Sequence, residues 1–131
     1  MDFLSSCCTY TLRHSDALQK QAKEGGPQKL TERRVWRTGS LLWVKAKLSG
    51  ERMPVVFSGA DDTQPGLIYW ATIDDITVDD EKRSTTCCYS NLRPISPLKP
   101  LSALRLLKSG RQLSDADIRP YRICQTPRFL V

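Results

Sequence analysis

A chain of 131 residues with net charge +6, pI near 9.2 and 40 % hydrophobic residues has the length and apolar content of one domain, 1–131, built around a single core. No apolar run approaches the roughly 20 residues that cross a bilayer, and Met1 to Ser6 lacks the basic and apolar regions of a signal peptide, so a cytoplasmic protein without membrane contact is expected. The five cysteines stand as the vicinal pairs Cys7-Cys8 and Cys87-Cys88 plus Cys124, a spacing that suits neither internal bridges nor zinc; reduced thiols are expected, with no metal and no cofactor.

In chain order, Cys7 to Leu12 reads as a strand through Thr9, Tyr10 and Thr11, with Cys8, Tyr10 and Leu12 on one face. A short surface helix follows over Asp16 to Glu24, capped by Ser15 and stopped by Gly25-Gly26-Pro27. His14, the only histidine, lies at its start without an evident partner, which suits a surface or capping role better than a general base. Lys29 to Arg37 is then a basic, tryptophan-bearing loop, Gly39-Ser40 a turn, and Leu41 to Leu48 a strand by its alternation. Its core face would be Leu42, Val44, Ala46 and Leu48, leaving Trp43 between Lys45 and Lys47 on the other face, as a stacking platform for a base or as cover for a neighbouring element.

Ser49 to Arg52 reads as a hairpin turn into a strand Met53 to Phe57, in which Pro54 marks an edge or a beginning. A connection over Ser58 to Gly66 leads to Leu67 to Val78, apolar on both faces and therefore central, with a bulge expected beyond Asp74-Asp75. The charged turn Asp79 to Arg83 joins it to a strand Ser84 to Asn91 as a hairpin. Pro94, Pro97 and Pro100 enforce an extended crossover. A helix over about Ser102 to Lys108 with Gly110 as its stop, a turn from Ser114 through Asp117, and a last strand Tyr121 to Cys124 complete the chain.

Charge is segregated along this order. Residues 29–52 carry seven basic and two acidic groups, 53–81 carry seven acidic and no basic groups, and 82–131 carry ten basic and two acidic groups. One basic side facing a phosphate backbone is the partner chemistry this implies. No Gly-x-Ser-x-Gly, His-Glu-x-x-His or P-loop pattern is present, which removes the usual hydrolase, metallopeptidase and nucleotide-triphosphatase readings.

Lys29-Leu30-Thr31-Glu32-Arg33-Arg34, after Gly25-Gly26 and before Gly39-Ser40 and an apolar segment, resembles the Gly-x-Lys-x-x-Glu-x-Arg signature of the ASCH branch of the PUA-like superfamily, with Ser40 where that pattern has aspartate. The later Tyr69-Trp70-Ala71-Thr72-Ile73 strand running into acidic turns is similar to the related EVE branch. The resemblance implies an α+β fold, a small mixed β-barrel of about five or six strands with two or three short flanking helices, binding RNA or a modified base in DNA or RNA. On this chain Lys29, Glu32 and Arg34 would line the cleft, with Trp36 or Trp70 stacking on a flipped base and Arg37, Trp43 and Arg93 extending the surface. Some ASCH-type proteins are amidohydrolases of acylated nucleosides; Lys29, Thr31 and Asp74 or Asp75 would carry that alternative. A module contacting an acidic protein through the proline-rich crossover and the basic segment after it is a third.

Overall fold

A computed structural model describes residues 3–60, 66–114 and 121–130. It is a mixed α+β fold with two α-helices and a six-stranded sheet in the order β3-β7-β6-β5-β2-β8. The strands are β2 (Cys7–Arg13), β3 (Gln28–Glu32), β5 (Pro54–Gly59), β6 (Gly66–Asp79), β7 (Ser84–Pro100) and β8 (Arg122–Gln125). Two short strands, β1 (Phe3–Leu4) and β4 (Glu51–Arg52), pair in parallel beside it. β2 and β5 are also parallel, and such a pair needs a long crossover; α1 (Ser15–Glu24), β3 and α2 (Arg37–Leu48) lie within it.

The sheet is apolar on both faces because both are covered. Leu18 of α1 and Ala46 of α2 close one core with Leu30, Trp36, Val55, Phe57, Ile73 and Tyr89. The opposite core joins Cys8, Tyr10, Val56, Leu67, Trp70 and Ile95 to Leu101, Leu104 and Leu113 from the segment after β7. Successive residues of β5 show the alternation, with Val55 and Phe57 in the first core and Val56 in the second. The five cysteines form no disulfide. No helix among the described residues is long and apolar enough to cross a membrane.

The sheet curls strongly. Thr11 on β2 donates its hydroxyl to Glu32 on β3, although β7, β6 and β5 intervene in the sheet order. Among the described residues no strand pairing joins the edge strands β3 and β8, so the closed barrel is not present as a backbone ladder.

The β6–β7 hairpin forms as expected; its register shifts between Ile73 and Asp75, just before the stretch beyond Asp74-Asp75 where a bulge is expected from the sequence, with further shifts at Leu67/Tyr69 and Trp70/Thr72. These shifts put both Ile73 and Ile76 into the same core. The proline-rich stretch is a continuation of β7 rather than a crossover, pairing Pro94 with Tyr69 and Pro100 with Gly66. β3 pairs with β7 only as far as Tyr89, so the prolines stand where the outer edge of β7 has no ladder to donate to.

Several expectations are corrected. Leu41 to Leu48 is the body of helix α2, not a strand, and Gly39-Ser40 lies inside that helix rather than at a turn. Its inward stripe is Gly39, Leu42, Trp43 and Ala46, at helical spacing, while Leu41 and Leu48 are 68 % and 84 % exposed. Ser49-Gly50 ends this helix, with Gly50 in the left-handed region at φ +72, and Glu51-Arg52 is β4, not a hairpin turn. The first half of the basic loop is β3. Helix α1 begins at Ser15 with His14 in the capping position and no side-chain cap bond. β5 extends through Gly59, and 61–65 of the connection after it lie outside the described residues.

The helix expected over Ser102 to Lys108 is instead a single 3-10 turn, Leu101–Ala103, followed by a tight reversal in which Arg105 bridges Gln112. Tertiary burial overrides helix propensity there: Leu101 and Leu104 anchor the opposite core, and Leu113 donates its N–H to the Leu104 carbonyl. The turn anticipated from Ser114 lies outside the described residues beyond that serine.

Candidate functional site

The basic segment after β3 is held from behind by one buried aromatic residue. Trp36 is 0 % exposed, and its ring stacks on Tyr121 with centroids 4.8 Å apart and planes 13° from parallel. Its indole N–H donates to one Glu32 carboxylate oxygen at 3.1 Å, while the other accepts from the Thr11 hydroxyl. Behind the backbone, Thr85 of β7 accepts the Trp36 N–H at 2.9 Å and donates its hydroxyl to the Arg34 carbonyl at 2.6 Å. The N–H of Gly39 donates to the Tyr121 hydroxyl at 2.9 Å; a β-carbon there would sit 3.2 Å from that ring, so glycine permits the approach.

With the connection fixed in this way, Arg33, Arg34 and Arg37 project outward beside the tip of the β6–β7 hairpin. Together with Val35, Asp80, Arg83 and Tyr121 they line a cleft of about 460 Å³. Arg37 pairs with Asp80 at 2.7 Å, and both side chains are exposed. Among the described residues four arginines therefore meet one carboxylate in this cleft, an anion-attracting surface on rigid backbone.

The other expected site residues are distributed differently. Lys29 and Glu32 stand on opposite faces of β3, Lys29 exposed and Glu32 half-buried, so they do not line one cleft. Both Glu32 oxygens are already engaged, which makes it an internal acceptor rather than a base-edge reader. Trp36 presents no open ring face. Trp43 packs against the first core with the Lys47 ammonium 5.2 Å from its ring centre. Trp70 and Arg93 are register partners about ten residues back from the hairpin tip, roughly 30 Å of strand from Asp80. They belong to a separate cavity of about 710 Å³, also lined by Leu4, Arg52, Arg128 and Leu130.

For the amidohydrolase alternative, Lys29 and Thr31 share the outer face of β3. Cys88 separates Lys29 from Asp75 by register, leaving the two about 10 Å apart across two strand spacings. Asp74 accepts from the Ser90 hydroxyl at 3.1 Å and is exposed. These groups enclose no cavity described above. Among the described residues no group of three or more His, Cys, Asp or Glu side chains is placed to hold a metal ion.

Burial raises the Glu32 pKa from its ordinary value, against the opposing pull of the Thr11 and Trp36 hydrogen bonds and of Arg34 and Arg13. A raised carboxyl pKa means that the folded state holds the proton more tightly than the unfolded state. Folding is then favoured at low pH and loses that contribution as pH rises from the ordinary carboxylate range through the raised value. Glu32→Gln should therefore gain on wild type over that window and keep the gain at neutral pH, because its amide can accept from Trp36 and donate to Thr11. Glu32→Ala strands two buried donors and should cost about 1–3 kcal/mol for each. Urea unfolding of the three proteins from pH 4 to 8 checks both; a glutamine variant less stable than wild type across the range would reverse the assignment.

Arg33, Val35, Asp80, Arg83 and Tyr121 line the cleft without being among the site residues expected from the sequence. Arg33 adjoins Arg34, and Arg83 sits in a turn already read as charged, so both carried a local signal. Tyr121 reaches Trp36 from 85 positions away and carried none. Comparison with protein-family models, curated proteins and solved structures finds no match.

Proposed function

We propose that this chain is a nucleic-acid-binding module of PUA-like, barrel-related type, which takes RNA or a modified or extruded base in DNA or RNA at the arginine cleft. The observation that carries the reading is the set Arg33, Arg34, Arg37 and Arg83 around one cleft, on a connection anchored by Trp36 and Thr85. Guanidinium forks suit phosphate oxygens and base edges, and their attachment to fixed backbone reduces the ordering that binding requires. Tyr121, which lines the cleft, supplies its aromatic surface. The side-chain bridge from Thr11 to Glu32 across the curled sheet supports the barrel-like reading, and the absence of any disulfide among five cysteines suits a reducing cytoplasm.

The test is a binding screen over single-stranded RNA, single-stranded DNA, and duplexes with and without modified cytosine or adenine, each at low and high salt. Preferential binding to single strands or to a modified duplex, falling steeply with salt, is the expected outcome. Failure of every nucleic acid to bind at low salt sinks the proposal.

One observation favours a second reading, as an interaction module for an acidic protein. Leu41, Val44 and Leu48 are exposed on α2 at helical spacing beside Lys45 and Lys47. Salt-sensitive binding that persists with short oligonucleotides argues against it.

A further inference from the structure

The larger cavity, about 710 Å³, combines two features that the arginine cleft lacks: a predominantly apolar lining and an arginine, Arg93, seated over an aromatic ring. Leu4, Trp70, Pro127 and Leu130 supply apolar surface, and Arg52, Arg93 and Arg128 supply charge. No Asp or Glu among the described residues lines it. The volume lies within the about 300–1,000 Å³ range of sites that enclose small organic ligands.

Arg93 defines what such a ligand must be. Its guanidinium carbon lies 3.8 Å from the Trp70 ring centre, so the cation covers the indole face. A base cannot stack there without displacing Arg93, which argues against a second nucleobase platform. A guanidinium placed over a ring still has N–H donors along its edge, and such an edge can match an oxyanion with two parallel bonds. Burial and the neighbouring Arg52 cation both lower the Arg93 pKa from its ordinary value, so two like charges are close enough here to oppose one another. An oxyanion between them would remove that opposition.

We propose that this cavity is a binding site for a small organic oxyanion with an apolar body, its carboxylate or phosphate held by Arg52 and Arg93 and its body packed on Leu4, Trp70 and Leu130. This site is independent of the arginine cleft, and it can fail or stand without affecting the reading of that cleft. A carboxylate and a phosphate monoester offer the same oxyanion chemistry, so both enter the test.

Four probes separate the contributions: 1-naphthoate and 1-naphthyl phosphate as apolar-bodied oxyanions, 1-naphthylmethanol as the neutral body, and inorganic phosphate as the bare anion. Binding is followed by calorimetry and by nitrogen–proton NMR shifts at the Trp70 indole and the Thr72 and Thr126 amides, all of which border the cavity. At least one naphthyl oxyanion should bind about tenfold or more tightly than either the neutral body or inorganic phosphate. Arg93→Met, whose apolar stem still covers Trp70, should weaken that binding about tenfold or more, and Arg52→Met should do so independently. The exposed-cation control Lys20→Ala should bind as wild type. The proposal is overturned by no binding of either oxyanion up to about 5 mM, by equal affinity for the neutral body, by shifts confined to residues away from the cavity, or by unchanged affinity in both folded arginine variants.

Discussion

Trp36→Ala is expected to lower stability by about 3–5 kcal/mol, the cost of emptying a buried aromatic site, and to lower the melting temperature by on the order of 15 °C. The magnitude follows from what the side chain holds. Trp36 has no exposed surface, stacks on Tyr121, and donates to a half-buried carboxylate that Thr11 also engages. Removing it opens a void between α2 and the sheet and leaves Glu32 with one fewer donor in an environment that already disfavours its charge. Trp36→Phe separates the contributions. It retains a ring against Tyr121 but loses the N–H, so about 1–3 kcal/mol should be lost through the Glu32 contact and the smaller ring. Urea unfolding with a melting curve measures both. If the alanine variant lost less than about 1 kcal/mol, the anchoring role assigned to Trp36 would be wrong.

The same residue marks the boundary of what local pattern can reveal. The strands around Tyr10, Trp70 and Tyr89, the helix before Gly25, the bulge near Asp75 and the last strand were all legible, because each is fixed by turn residues and by local apolar patterning. Leu41 to Leu48 misled because its apolar residues satisfy two periods at once: Leu42, Val44, Ala46 and Leu48 for a strand, and Leu42, Trp43 and Ala46 with Gly39 for a helix. Composition favoured the helix, since Leu, Ala and Lys dominate and Val44 is the only β-branched residue in the stretch. That exchange moved Trp43 from a solvated strand face to a helix flank against the core.

The site was legible in charge but not in geometry. Arginines in the segment after β3 can be read locally, whereas their meeting with Arg83 depends on the β6–β7 hairpin returning its tip to α2, and their rigidity depends on Tyr121. The parallel pairing of β2 with β5 likewise spans an intervening helix, strand and second helix, so no period in the sequence carries it. The expected grouping of Lys29, Glu32 and Arg34 broke because residues three apart on a strand point to opposite faces; a loop would have left them free to converge.

Arg33→Ala, Arg34→Ala and Arg83→Asn combined should weaken binding to a short single strand on the order of 100-fold at low salt, if charged hydrogen bonds to phosphate are what the cleft supplies. Asparagine suits position 83 because Arg83 has φ +51, a backbone region that asparagine tolerates. Stability should change little. Arg33, Arg34 and Arg83 are exposed, and the Thr85 bond runs to the Arg34 carbonyl, which alanine keeps. The salt dependence is the sharper readout: losing three phosphate contacts should flatten the slope of log affinity against log salt by about 2, at roughly 0.7 for each contact on a single strand. Asp80→Asn works in the opposite sense. It removes the one carboxylate among the described residues of the cleft and releases Arg37 from its 2.7 Å pair, so affinity should rise as the slope steepens. A triple variant with unchanged slope, or an Asp80→Asn variant that binds less well while remaining folded, would place the nucleic-acid contact elsewhere on the molecule. Opposite signs for the two variants, at unchanged melting temperature, are what a phosphate-reading arginine cleft requires.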